Sequence, residues 1–125
     1  KEKYNTEIDH KLLQEAIALA SRVYKITKWQ TGVVGAFFYV AVQQGQRDQV
    51  SPFFDDFVKG IGKSARSPIP YLLAQVNRMR TDRTMLLRAH QLSILLSRTY
   101  RNYKAGRLSN QADVTVSLDD KMVAF

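Results

Sequence analysis

The stretch Thr81–Gly106, TDRTMLLRAHQLSILLSRTYRNYKAG, is the longest uninterrupted helical pattern in the chain. At about 100° per residue, Met85, Ala89, Leu92, Leu96, Thr99 and Tyr103 share one stripe. Arg83, Arg98, Arg101 and Lys104 fall on the other side. Thr81 suits an N-cap, Asp82 the positive first turn, and Gly106 the left-handed position that ends a helix. Leu87 and Ile94 also fall on the polar side, and exposing either would forfeit about 1.5–3 kcal/mol. The helix is therefore expected to be covered on two sides and to run through the centre of a bundle. Its flank becomes wide and basic only from Arg98 to Arg107.

Four more helices are predicted ahead of it. Ile8, Leu12, Ala16, Leu19, Val23 and Ile26 recur at helical spacing, giving a helix over 7–27 with Thr6 and Asp9 as its capping arrangement. GVVGAFFYVAVQQG is apolar all round and bounded by Thr31 and Gly45, which predicts a buried helix over 31–44. A strand is the competing reading, because Val, Phe and Tyr favour strands. Gly35 and Ala36 would let another helix approach closely. Ser51-Pro52 and Ser67-Pro68 each read as N-cap plus first helical residue, predicting helices over 52–60 and 68–79. Asn77–Thr81 then connects the fourth helix to the fifth as a hairpin. After Gly106 the composition shifts, and Val114, Val116 and Leu118 alternate as in a short strand. The expected fold is all-α: a compact bundle of about five helices over residues 1–107, followed by a short, extended or flexible tail over 108–125.

Few residue patterns offer chemistry. The absence of cysteine excludes disulfides, thiol catalysis and cysteine-ligated zinc, and is compatible with a cytoplasmic chain. No signal peptide is visible, and the opening Lys1 reads as a fragment or a processed product. The most apolar run, Val33–Val42, is half of the ~20 residues that span a bilayer, so no membrane role is expected. His10 lacks a second histidine at metal-site spacing and reads as a surface residue; His90 reads as a hydrogen-bonded structural one. Asp55 and Asp56 are adjacent carboxylates, but helical neighbours diverge by about 100° and form no site unaided. Favourable placement near a helix N-terminus is their expected role. Gly62-Lys63-Ser64 resembles part of a phosphate-binding loop, yet Phe57 stands where that motif needs its first glycine, and a helix precedes the loop instead of a strand. No acid, base, nucleophile and oxyanion set converges, so no catalysis, metal or cofactor is expected.

The charge is unevenly spread. The net +8 divides into zero over residues 1–58 (seven basic, seven acidic), +10 over 59–107 (eleven basic, one acidic) and −2 over 108–125 (one basic, three acidic). Such asymmetry marks a polyanion-facing surface. The candidate phosphate-contacting residues are Lys59, Lys63, Arg66, Arg78, Arg80, Arg83, Arg98, Arg101, Lys104 and Arg107. No base-reading helix is identifiable, so weak, salt-sensitive, sequence-tolerant contact with nucleic acid, DNA foremost, is the first expectation. Trp29, Phe37, Phe38, Phe53, Phe54 and Phe57 concentrate in the neutral half and motivate the alternative, a protein-interaction or dimerisation module.

The segments TGVVGAFFYVA, SPFFDDFVKGIG, SPIPYLL and HQLSILLSRTYRNYKAGR together cover much of residues 31–107. In this order they resemble the helical C-terminal region of phage- and plasmid-type proteins that carry a ParB/sulfiredoxin-like domain. The resemblance implies an accessory domain of a DNA-associated protein. It rests on packing and capping motifs and carries no catalytic residue; the acidic tail after Arg107 departs from it.

Overall fold

A computed structural model of the chain describes residues 8–59, 67–81, 89–110, 115–116, 120–123 and 125. Among the described residues there are five α-helices and no strand: α1 (His10–Thr27), α2 (Thr31–Gln43), α3 (Arg47–Lys59), α4 (Ile69–Thr81) and α5 (Ala89–Ala105). The all-α expectation holds. None of these helices is long and apolar enough to cross a membrane.

Local chemistry sets the ends. The Asp9 carboxylate accepts from Leu12 N at 3.0 Å, so Asp9 is the N-cap and α1 starts three residues later than the spacing predicts. At the other end, Lys28 takes a left-handed conformation and donates its N–H to Tyr24 O. Thr27 Oγ1 donates to Val23 O and accepts from Trp29 N, which fixes the turn that carries Trp29 into the core. Gly45 and Gly106, both at positive φ, end α2 and α5 with paired bonds. Gly45 N donates to Val42 O and Gln46 N to Ala41 O; Gly106 N donates to Tyr103 O and Arg107 N to Asn102 O.

The largest departure from expectation is α3. It starts at Arg47 and not at Pro52, because Gln46 directly follows the glycine turn and accepts from Gln49 N and Val50 N. Pro52 therefore lies inside the helix and leaves the Asp48 carbonyl without its usual donor. Burial of Val50, Phe53, Phe54 and Phe57 offsets that loss. Asp55 and Asp56 consequently sit late in α3, and Asp48 takes the first-turn position instead. The fourth helix also runs further than predicted, to Thr81, so Asn77–Thr81 is helix and not connection, and the capping role expected of Thr81 toward Asp82 lies outside the described residues. The path over 82–88, with Met85 and Leu87, lies outside the described residues, as does the glycine-bearing basic loop over 60–66.

α1 packs along α2, α3 lies against both, and α5 contacts α2, α3 and α4. Gly35 makes the first pairing close: a Cβ there would stand 3.6 Å from Ala16 O and 3.7 Å from Ala20 Cβ. The core is aromatic. Phe53 meets Phe54, Phe57, Tyr100 and Tyr103 at 5.0–5.3 Å, and Trp29 meets Phe57 edge-on at 5.2 Å. Helix α5 is buried on more than one face. Leu92, Ile94, Leu95, Leu96, Thr99, Tyr100 and Asn102 are all buried, which answers the Ile94 puzzle in favour of a central helix. Ala89 falls outside that core and is exposed.

Val116 and Phe125 of the tail pack against the core. Phe125 places its ring 4.7 Å from Phe37 and 6.2 Å from Tyr100. Its carbonyl accepts from Gln46 Nε2 at 2.7 Å and Lys104 Nζ at 2.9 Å. Val123 N donates to Ser97 Oγ, and His90 Nε2 lies 2.9 Å from Asp120 O. The histidine is thus hydrogen-bonded, as its sequence context suggests.

Candidate nucleic-acid interface

Five of the ten candidate cations can be placed by their side chains: Arg78, Arg98, Arg101, Lys104 and Arg107. Lys63, Arg66 and Arg83 lie outside the described residues, as do the side chains of Lys59 and Arg80. The five belong to two places in the chain order, α4 and the end of α5. Arg78 is on α4, with its guanidinium bonded to Gln75 one turn back. The other four belong to the last turns of α5 and the residues after it.

Two of those four serve the fold. Arg98 donates from Nη1 to Thr115 O at 2.8 Å and from Nη2 to Asp120 Oδ2 at 3.1 Å. This partly buried pair occupies the guanidinium and fastens the tail to α5. Lys104 donates to Gln46 Oε1 at 3.0 Å and to Phe125 O, and its Nζ lies 4.5 Å from the centre of the Tyr100 ring. Burial pushes its pKa below the usual lysine value. Arg98, partly buried, and Lys104, exposed, thus already have partners within the fold.

Arg101 and Arg107 are brought together. With Asn102, Leu108 and Asn110 they line a polar cleft of about 350 Å³. The turn at Gly106 folds the chain back so that Arg107, exposed, stands beside the half-buried Arg101. Asn102 is buried and donates to Ser109 Oγ at 3.1 Å, which fixes the cleft floor. Among the described residues no acidic side chain lines it. Paired guanidiniums suit phosphate oxygens, which they can engage with two parallel N–H bonds. The adjacent helix end is a C-terminus, whose dipole repels anions, so the side chains must supply all the attraction.

Next to the cleft, Tyr100 donates its hydroxyl to Gln46 Oε1 at 2.7 Å, and burial raises its pKa to about 12. Tyr103 is also raised to about 12, first by burial and then by the Asp56 and Asp55 carboxylates. The Asp56 carboxylate thus faces the Tyr103 hydroxyl. Among the described residues no three His, Asp or Glu side chains cluster as ligands.

A second surface escapes the charge-led reading. Between α1 and α2 runs an open apolar groove of about 480 Å³, lined in part by Leu13, Ile17, Gly32, Ala36, Tyr39 and Val40. It contradicts the expectation that α2 is covered all round, since Thr31, Gly32, Ala36 and Val40 are exposed. The spacing did hold a signal: Leu13, Ile17, Ala20 and Tyr24 form a second stripe on α1 beside the core stripe Leu12, Ala16, Leu19 and Val23. Ile8 and Ile26, predicted for the core stripe, are exposed at the two ends.

No protein-family model, curated protein or solved structure matches this chain.

Proposed function

We propose that this chain is a non-enzymatic accessory domain that contacts a nucleic-acid backbone, DNA foremost, through its basic C-terminal half. The observation that supports it is the cleft at the end of α5, where Arg101 and Arg107 share a polar lining. The cleft lies within a stretch of net charge +10, from residue 59 to 107. The likeness of that stretch to the helical region of DNA-associated phage- and plasmid-type proteins agrees with the proposal. Because Arg98 and Lys104 are engaged within the fold, the expected footprint is small and the binding weak.

Titration of a fluorescent duplex at 50 and 150 mM salt tests this. With about two phosphates held by the cleft, the salt slope has a contribution near −1.8, or about sevenfold weaker binding at the higher salt. Replacing Arg101 and Arg107 together by Ala removes that contribution. No binding at low salt, or a slope unchanged in the double variant, ends the proposal. The open groove favours a second and compatible reading, association through the neutral half.

A further inference from the structure

We propose that the groove between α1 and α2 is closed by the same groove of a second copy of this chain, related by a two-fold axis. The groove leaves Ile8 and Ile17 more than half exposed, at 56% and 57%, with Leu13 and Val40 beside them. Monomers rarely leave such side chains contiguous in water.

Two observations favour a second copy, and the area sets how tightly it can bind. The first is shape. One patch carries both projecting side chains, Leu13 and Ile17 on α1, and a shallow floor over Gly32 and Ala36 on α2. A Cβ built at Gly32 meets nothing within 4 Å. Two-fold symmetry sets the knobs of each copy over the floor of the other, as an isologous interface requires. The second is charge. No charged residue occurs from Trp29 to Gln46, so the groove has nothing to pair with a charged peptide. Each copy carries +8, and residues 1–58, net zero, are where two copies can meet with least repulsion. Antiparallel α1 helices also bring the Asp9 end of one copy to the Lys25 and Lys28 end of the other. As to area, helices of 18 and 13 residues are about 27 and 20 Å long, and a two-helix face is about 20 Å wide. Each copy then contributes about 400–550 Å², below the ~800 Å² per partner of a stable complex. The dimer is accordingly weak.

Sedimentation velocity on the 125-residue chain from 5 to 500 μM tests this directly. The expected result is a monomer–dimer equilibrium that tightens as salt is raised, because salt screens like-charge repulsion between copies. That trend is opposite to the salt dependence of DNA binding, so either proposal can fail alone. Ile17→Glu puts a charge in the groove, and Gly32→Leu fills its floor; each is expected to weaken the dimer at least about tenfold. Both sites are exposed, so far-UV circular dichroism is expected to stay unchanged. A chain that remains at 14.3 kDa through 500 μM overturns the proposal. So does a dimer indifferent to both variants, or a monomer whose groove captures lipid vesicles or an unrelated apolar helix.

Discussion

Replacing Phe53 by Ala tests whether the aromatic cluster holds the bundle together. The ring is fully buried and lies 5.0–5.3 Å from Phe54, Phe57, Tyr100 and Tyr103, with Phe37 at 6.5 Å. It therefore joins α2, α3 and α5. Buried Phe→Ala changes cost about 3–5 kcal/mol, and edge-to-face pairs add about 0.5–1.5 kcal/mol beyond area. Neighbouring aromatics are stiff and cannot collapse into the space, which places the expected loss near 5 kcal/mol. Phe53→Leu keeps most of the volume and loses only the ring geometry, so about 1–2 kcal/mol is expected. Trp29 is the single tryptophan, buried against Phe57, so its fluorescence reports core opening during urea denaturation. With an m-value of about 1.5 kcal/mol/M, the Ala variant is expected to lower the midpoint by about 3 M or to be unfolded without denaturant. A midpoint shift below about 0.5 M, or equal costs for Leu and Ala, would refute the claim that ring packing at this point ties the helices together.

Two further outcomes follow from the same contacts. Arg98→Ala removes the bonds to Thr115 O and Asp120 Oδ2, with an expected loss of about 1–2 kcal/mol and faster protease cleavage within residues 108–125. Asp120→Ala is expected to reproduce much of that effect with little addition in the double variant, and unchanged cleavage in both would show that this pair does not hold the tail. Alkaline pH is expected to destabilise the fold, because Tyr100 titrates near 12 in the folded chain and near 10 when unfolded. Between those values the unfolded state binds fewer protons, so stability falls as pH rises, by up to about 2.7 kcal/mol for Tyr100. Tyr103 acts in the same sense and Lys104 opposes it over its own range. A urea midpoint that is level from pH 8 to 11.5 would contradict this.

Much of the architecture was readable from residue order alone. The span of α2 was predicted within a residue, because Thr31 and Gly45 bound it and its length is helical. The core face of α1 followed from the Leu12–Ala16–Leu19–Val23 spacing. Gly106 ended α5 as expected, since a left-handed turn is a local demand that glycine meets at least cost. The segregation of positive charge also needs no coordinates, for it is a property of order along the chain.

The candidate site was less accessible from sequence, for a different reason. Arg98 and Arg101 look alike on a helical wheel, yet Asp120, 22 residues further on, claims the first and the turn at Gly106 sets Arg107 beside the second. The start of α3 depended on Gln46, which bonds to Tyr100 and Phe125, 54 and 79 residues away. Likewise, an apolar stripe states that a helix face is suited to burial; which neighbour covers it depends on how the helices pack. Capping and periodicity act over about one to two turns, so the sequence by itself determined the helices and their apolar faces. Which cations stay exposed and which apolar face stays open are properties of long-range contacts, and only the tertiary structure decided them.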